Sequence, residues 1–207
     1  MIKQVLRGVR VMDYTKVIEF VKEMTAQNGR PDNYSFRSRF EHIMRVYRWA
    51  IKLQAKEGGD LEIIALAALL HDVGWDKERP HEEVSAEIAV EYLVEQEYDE
   101  AKIGRIGDII LRHNDKDTEE ELSLECRIVM DADLLDEVGA MSVLWDSMAT
   151  ACEEEANYKK AYYRIKNYFR INQPKIRRCK TNTGRMEYTK RMKCIEEFLG
   201  ELERELF

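Results

Sequence analysis

An all-α fold is predicted by three features of the chain: long stretches of helix-forming residues, only three prolines and ten glycines in 207 residues, and a 35% charged fraction that suits solvated helix faces. The 44% apolar content and the length suffice for a substantial core in one domain or at most two. Neither an internal repeat nor a low-complexity linker is visible.

From Met1 to about Asn28 the pattern gives one or two short amphipathic helices, ended by the turn signal Asn28-Gly29-Arg30-Pro31. The next helix runs from about Phe36 to Lys56. One of its stripes is Phe40, Ile43, Tyr47, Ala50 and Ile51; a second, at spacings of 4, 3 and 4, is His42, Val46, Trp49 and Leu53. His42 is thereby placed at the edge of the core. Gly58-Gly59 stops the helix, and Asp60 is a suitable N-cap for Leu61 to Leu70, which holds one charge and reads as a helix buried on most of its surface.

That buried helix breaks at His71-Asp72. Burying an imidazole and a carboxylate there costs several kcal/mol unless both are satisfied, and a divalent cation satisfies both. Neighbouring helical residues point about 100° apart, a poor arrangement for two ligands, which the break and Gly74 ease. A helix from about His81 to Gln96 follows, with Val84, Ile88 and Tyr92 inward. Another holds Ile103, Ile106 and Ile110, and His113 closes its stripe. After Asn114-Asp115-Lys116-Asp117, a helix capped by Asp117 or Thr118 carries Leu122, Cys126 and Val129 and arrives at Asp133. Beyond Ala140 the sequence reads as a long aromatic helix, a break at Asn172-Gln173-Pro174 and an amphipathic helix to Phe207.

No run of about 18 uncharged apolar residues exists, and the N-terminal segment lacks an apolar signal core, so a cytoplasmic protein without a membrane partner is expected. Cys126, Cys152, Cys179 and Cys194 lie 26, 27 and 15 positions apart, with no CxxC, and read as reduced thiols. Residues 157–193 hold 13 Lys/Arg against one acid, a balance of +12, which leaves −19 for the rest of a chain whose net charge is −7. Such a stretch serves either a polyanionic ligand or a solvated helical face. The acidic remainder speaks against a duplex nucleic acid partner.

The order H…HD…D, given by His42, His71-Asp72 and Asp133, resembles the HD superfamily of metal-dependent phosphohydrolases. The strings RFEHIMRVYRWA, ALAALLHDVGW and VMDADLLDEVG carry the resemblance, with His71 29 residues after His42 and Asp133 61 residues after Asp72. It covers roughly residues 36 to 145. It implies a single HD-type helical domain there, an N-terminal helical extension over 1–35, and additional C-terminal helices over 146–207. In related domains the last ligand sits in an ADxL string, which favours Asp133 over Asp131.

The resemblance implies a divalent ion (Mn, Fe, Co, Ni, Zn or Mg) on His42, His71, Asp72 and Asp133. Its implied activity is hydrolysis of a phosphomonoester or phosphoanhydride, with a nucleotide as substrate, by attack of metal-bound water. Asp72, His113 and Lys116 are the expected catalytic groups; Arg45, His81 and Arg185 the expected substrate contacts, with Thr183 and Arg191 as further candidates from the last helix. Some members add histidines between the HD dyad and the final Asp, so His81 and His113 are also candidates for a second metal. Asn114 and the lack of a GYP tripeptide depart from the branch that cleaves cyclic dinucleotides. Other readings are a phosphodiesterase of a cyclic or signalling nucleotide, a catalytically silent metal-containing ligand-binding module, and RNA binding through Tyr158 to Arg178. A homo-oligomer is compatible with the sequence.

Overall fold

The computed structural model describes residues 13–28 and 34–207 and is helical, with no strand among these residues. The expectation for the first twelve residues and for Gly29-Arg30-Pro31 lies outside the described residues. Among the described residues nine α-helices follow one another: α1 Thr15–Asn28, α2 Arg39–Glu57, α3 Leu61–Leu70, α4 His81–Glu95, α5 Glu100–Arg112, α6 Leu124–Asp136, α7 Ala140–Ala151, α8 Tyr158–Asn172 and α9 Asn182–Leu206. A 3-10 turn, Gln173–Arg178, links the last two.

Helix α3 is the centre. Every residue from Ile63 to Leu70 is buried, and α1, α2, α4, α5 and α6 pack around it. Its start is set by Asp60, whose side chain accepts the amides of Glu62 and Ile63 at 3.0 and 3.3 Å. Gly58 and Gly59, at φ +85° and +88°, make the left-handed turn that lets α2 end and α3 double back. The C-terminal helices close on this body through α9, which packs against α2, α6, α7 and α8.

Three local expectations change. The inward face of α4 is built from Ser85, Ala86, Ala89, Tyr92 and Leu93, while Val84 and Ile88 are only half-buried. The cause is Gly74: Ser85 Oγ accepts its amide at 3.1 Å, and a Cβ there would stand 2.8 Å from both Val84 and Ile88. Small residues on α4 are what admit the close approach. Helix α6 begins at Leu124, capped by Ser123, whose Oγ accepts the Cys126 amide at 3.1 Å, and not by Asp117 or Thr118; Asp117 is engaged by Arg178 at 2.9 Å. Last, the segment after Ala140 is two helices. Glu153, Glu154 and Glu155 would place three negative charges at a helix C-terminus, where the macrodipole opposes them; Glu155 turns to φ +55°, and Asn157 caps α8.

Candidate metal centre

The end of α3 delivers the HD dyad. His71 is the C-cap and keeps helical dihedrals, φ −61° and ψ −28°, while Asp72 falls in the turn that follows, so the two side chains are freed from the divergence of a straight helix. His71 is fully buried. Its Nδ1 lies 2.8 Å from the Ala68 carbonyl, which fixes the tautomer with the proton on Nδ1. Nε2 is left as a buried lone pair with no hydrogen-bond partner. Burial pulls this imidazole down to about 4, so it is neutral.

Around that atom three elements converge. Asp72 Oδ2 and Asp133 Oδ1 each stand 3.9 Å from His71 Nε2, and His42 Nε2 stands 3.5 and 3.3 Å from the same two carboxylate oxygens. Helices α2, α3 and α6 thus bring together all four residues expected as metal ligands, and the ligand atoms of His42, His71 and Asp72 lie close enough to hold one ion. The donor set fits a divalent cation: two imidazoles, two carboxylates and one lone pair otherwise stranded in the core.

The carboxylates are kept ionised. Burial works against the charge of Asp72, but His71, His42 and the Arg39 guanidinium together hold it well below the usual carboxylate range. Burial likewise opposes Asp133, and Lys116, with Nζ 2.6 Å from Oδ2, outweighs it together with the histidines. Burial disfavours the His42 cation, yet hydrogen bonds to Asp133, Asp136 and Asp72 raise it well above its ordinary value.

Asp72 has a second side. Its Oδ1 is 3.3 Å from His81 Nε2 and 4.0 Å from His113 Nε2, and Asp72, His81 and His113 form a second group able to hold an ion. Here too the distal tautomer is set, by the His113 Nδ1 contact with the Ile110 carbonyl at 2.6 Å. Burial lowers the His113 imidazole, leaving Nε2 an acceptor that faces the cavity. The His81 ring is 3.0 Å from Glu82 on its other nitrogen.

All of this forms one side of a cavity of about 550 Å³. His42, Asp72, His81, His113, Lys116, Asp133 and Arg45 are on its wall; Arg185, Thr183 and Arg191 are not. Arg185 is exposed and donates to the Cys179 carbonyl at 3.3 Å, Thr183 gives its amide to Glu57, and Arg191 lies over the Trp49 ring at 4.3 Å. The basic stretch is largely spent on the body of the protein: Arg164 on Asp146, Lys175 on Glu137, Arg178 on Asp117, Lys180 on the Thr118 carbonyl.

Asp131 is also accounted for. Fully buried, it accepts the amides of Lys180 and Thr181 at 2.7 and 2.8 Å and the Thr181 hydroxyl at 2.7 Å, fastening the start of α9 to α6. Two neighbours of the cluster were missed in the sequence. Arg39, one turn before His42, binds Asp72, and Asp136, one turn after Asp133, binds His42 and Arg45. Helical spacing of three from an expected ligand was the signal in both cases.

A family model described as HD domain matches residues 39–137. A Clostridium beijerinckii protein of uncharacterised function is 32% identical over 115 residues, 53% of this chain and 72% of that relative. YpgQ of Bacillus subtilis is 27% identical over 175 residues, 81% of this chain and 83% of its own. Among solved structures, an HD-superfamily hydrolase from Bacillus thuringiensis superposes with a TM-score of 0.71 at 24% identity, covering 92% of this chain and 94% of that one. YpgQ crystallised in complex with ADP gives 0.65 at 24% identity, over 92% and 93%.

Proposed function

From a chain that belongs to the HD-domain family, we propose a metal-dependent phosphohydrolase that cleaves a phosphomonoester or phosphoanhydride, with a nucleotide as substrate. The observation that carries this reading is His71 Nε2, a buried lone pair without a protein partner, facing two ionised carboxylates and a second imidazole. His42, His71, Asp72 and Asp133 would hold the divalent ion, one of Mn, Fe, Co, Ni, Zn or Mg. When bound, such an ion eases deprotonation of water and draws charge from a phosphoryl oxygen.

The chain's own groups supply the rest. Lys116 places a positive charge beside Asp133 where charge develops on a phosphoryl group, and Arg39 and Arg45 line the same wall. Asp72, anchored by Arg39, is an orienting carboxylate more than a base, since it is held ionised. His113 Nε2, unprotonated and facing the cavity, is the better proton acceptor. His81 faces the substrate side of Asp72. Arg185, off the cavity wall, is left out of the proposed substrate contacts. That YpgQ was crystallised with ADP supports a nucleotide. The reading has the protein work in the cytoplasm, with its four thiols reduced.

A second ion is favoured by one observation, the grouping of Asp72, His81 and His113. His113→Ala would then halve bound metal; unchanged stoichiometry with a higher KM would assign His113 to substrate or proton transfer. The reading as a whole is tested by elemental analysis of the purified protein and a phosphate-release screen across nucleotides with each metal. Metal binding with no release from any substrate would leave a silent ligand-binding module.

A further inference from the structure

The cavity has two unlike sides. One is the charged cluster; the second is α7, which presents Met141, Leu144 and Met148, spaced i, i+3 and i+7 and 40%, 57% and 46% exposed. A surface helix ordinarily turns its large apolar side chains to the core, but α7 turns Ser142, Asp146, Ala149 and Thr150 inward and leaves the larger ones at the cavity mouth. Trp145 and Phe36 continue this wall. The indole is held in place, with Arg37 over its face at 4.1 Å and the Tyr34 ring edge-on at 6.0 Å.

Two polar groups on this side are already committed: Ser142 Oγ donates to the Gly139 carbonyl at 2.8 Å and Tyr168 donates to the Glu137 carbonyl at 2.5 Å. The Trp145 indole N–H has no hydrogen-bond partner but is buried, out of reach of a ligand in the cavity. A phosphate alone would occupy a small part of the space between the two sides. We propose that the apolar wall of α7, with Trp145 and Phe36, seats the aromatic ring of the substrate by stacking and apolar contact, while the phosphates reach across to the charged cluster. Such a seat selects for a ring and is indifferent to its edge, so the ligand class is nucleotides of any base, in preference to ring-free phosphates. The inference rests on the phosphohydrolase reading above and adds the residues that set its specificity.

The test uses Leu144→Ser and Met148→Ser, both at exposed positions, with Tm and circular dichroism of each variant checked against wild type. KM and kcat are measured on the metal-loaded enzyme for nucleotides of four bases, for inorganic pyrophosphate and for ribose 5-phosphate, and ADP and pyrophosphate are titrated at equilibrium. KM for every nucleotide should rise about five- to tenfold, with kcat and the pyrophosphate KM near wild type. In the wild type, kcat/KM should vary by less than about tenfold among the bases. An unchanged nucleotide KM, a parallel rise for pyrophosphate, or a strong preference for one base overturns the proposal. So does a dimer that dissociates in the variants with KM unmoved, which would give the stripe to a second copy. If no phosphate compound is turned over, the phosphohydrolase reading falls, and the titration still decides: ADP bound more tightly than pyrophosphate in the wild type alone supports the seat, equal affinities refute it.

Discussion

His42 turns one ring nitrogen to Asp136 at 2.8 Å and the other to Asp133 at 3.3 Å. The two carboxylates come from one turn of α6, and the same Asp136 takes two hydrogen bonds from Arg45, at 2.8 and 3.0 Å. A ring gripped on Nδ1 in this way presents Nε2 in a fixed direction, and the grip raises its basicity as a ligand. In the proposed metal centre Asp136 would therefore be a positioning residue, acting through His42.

Asp136→Asn should lower metal affinity by about 10- to 100-fold while leaving the fold intact. The readout is a competition titration against a chelating dye, followed by kcat at saturating metal. Near-complete recovery of kcat at high metal is expected; failure to recover would give Asp136 a direct part in the chemistry, and unchanged affinity would remove its positioning role.

Removal of metal should cost stability, because binding to the folded state alone stabilises by mass action. With metal at about 100 times its Kd, chelation should lower Tm by about 5–10 °C. In His71→Ala the metal-dependent shift should vanish. A shift of wild-type size in that variant would mean that the ion sits elsewhere.

How far the site was legible in the sequence follows from which contacts are local. His42, His71-Asp72 and Asp133 each close an apolar stripe or a buried helix, and helical periodicity alone placed them inward. Asp136 and Arg39 share those stripes, one turn away, and were readable in principle. The apolar wall was not. Met141, Leu144 and Met148 look like core residues in one dimension, and only the packing of α7 against α8 and α9, which takes its small side chains inward, exposes them. The basic stretch was misleading for a similar reason: its partners, Asp117, Glu137 and Asp146, lie far off in sequence.

Asp131 and Asp133 should separate cleanly. In Asp131→Asn the new amide group would face backbone N–H donors from Lys180 and Thr181, costing about 1–3 kcal/mol and loosening α9. Metal content and kcat should hold below the lowered Tm. Asp133→Asn should instead lose metal, and should also lower the metal-free Tm by leaving the buried Lys116 without its counter-charge. Loss of metal in both variants would undo the assignment of Asp131 as a clamp.

A source of acid sensitivity lies away from the metal cluster, at the buried Glu125. Burial pushes Glu125 up, but the amide of Asp60, at 3.0 Å, its own backbone and Arg105 outweigh it and hold Glu125 below its ordinary 4.5. A depressed folded-state value contributes stability above the unfolded value, and that contribution is lost as pH falls through the folded one. Glu125→Gln should therefore narrow the stability gap between about pH 6 and pH 4 relative to wild type, measured by urea unfolding. Parallel pH profiles for the two proteins would show that this clasp between the starts of α3 and α6 is not a source.

Charge reversal in the basic stretch gives the last test. The sequence alone points to weaker substrate binding in Arg185→Glu and Arg191→Glu, since a polyanion would be drawn to the +12 segment. The placement of both side chains reverses that expectation: neither is on the cavity wall, Arg185 is spent on the Cys179 carbonyl, and Arg191 covers Trp49. Substrate KM should stay within about twofold of wild type at low and high salt, because neither guanidinium is on the cavity wall. Arg191→Glu should still cost about 1 kcal/mol of stability, through the lost stacking on Trp49 and the lost bond to the Val138 carbonyl. A KM that rises at low salt in both variants, and recovers as salt is added, would restore the basic stretch to the substrate's path.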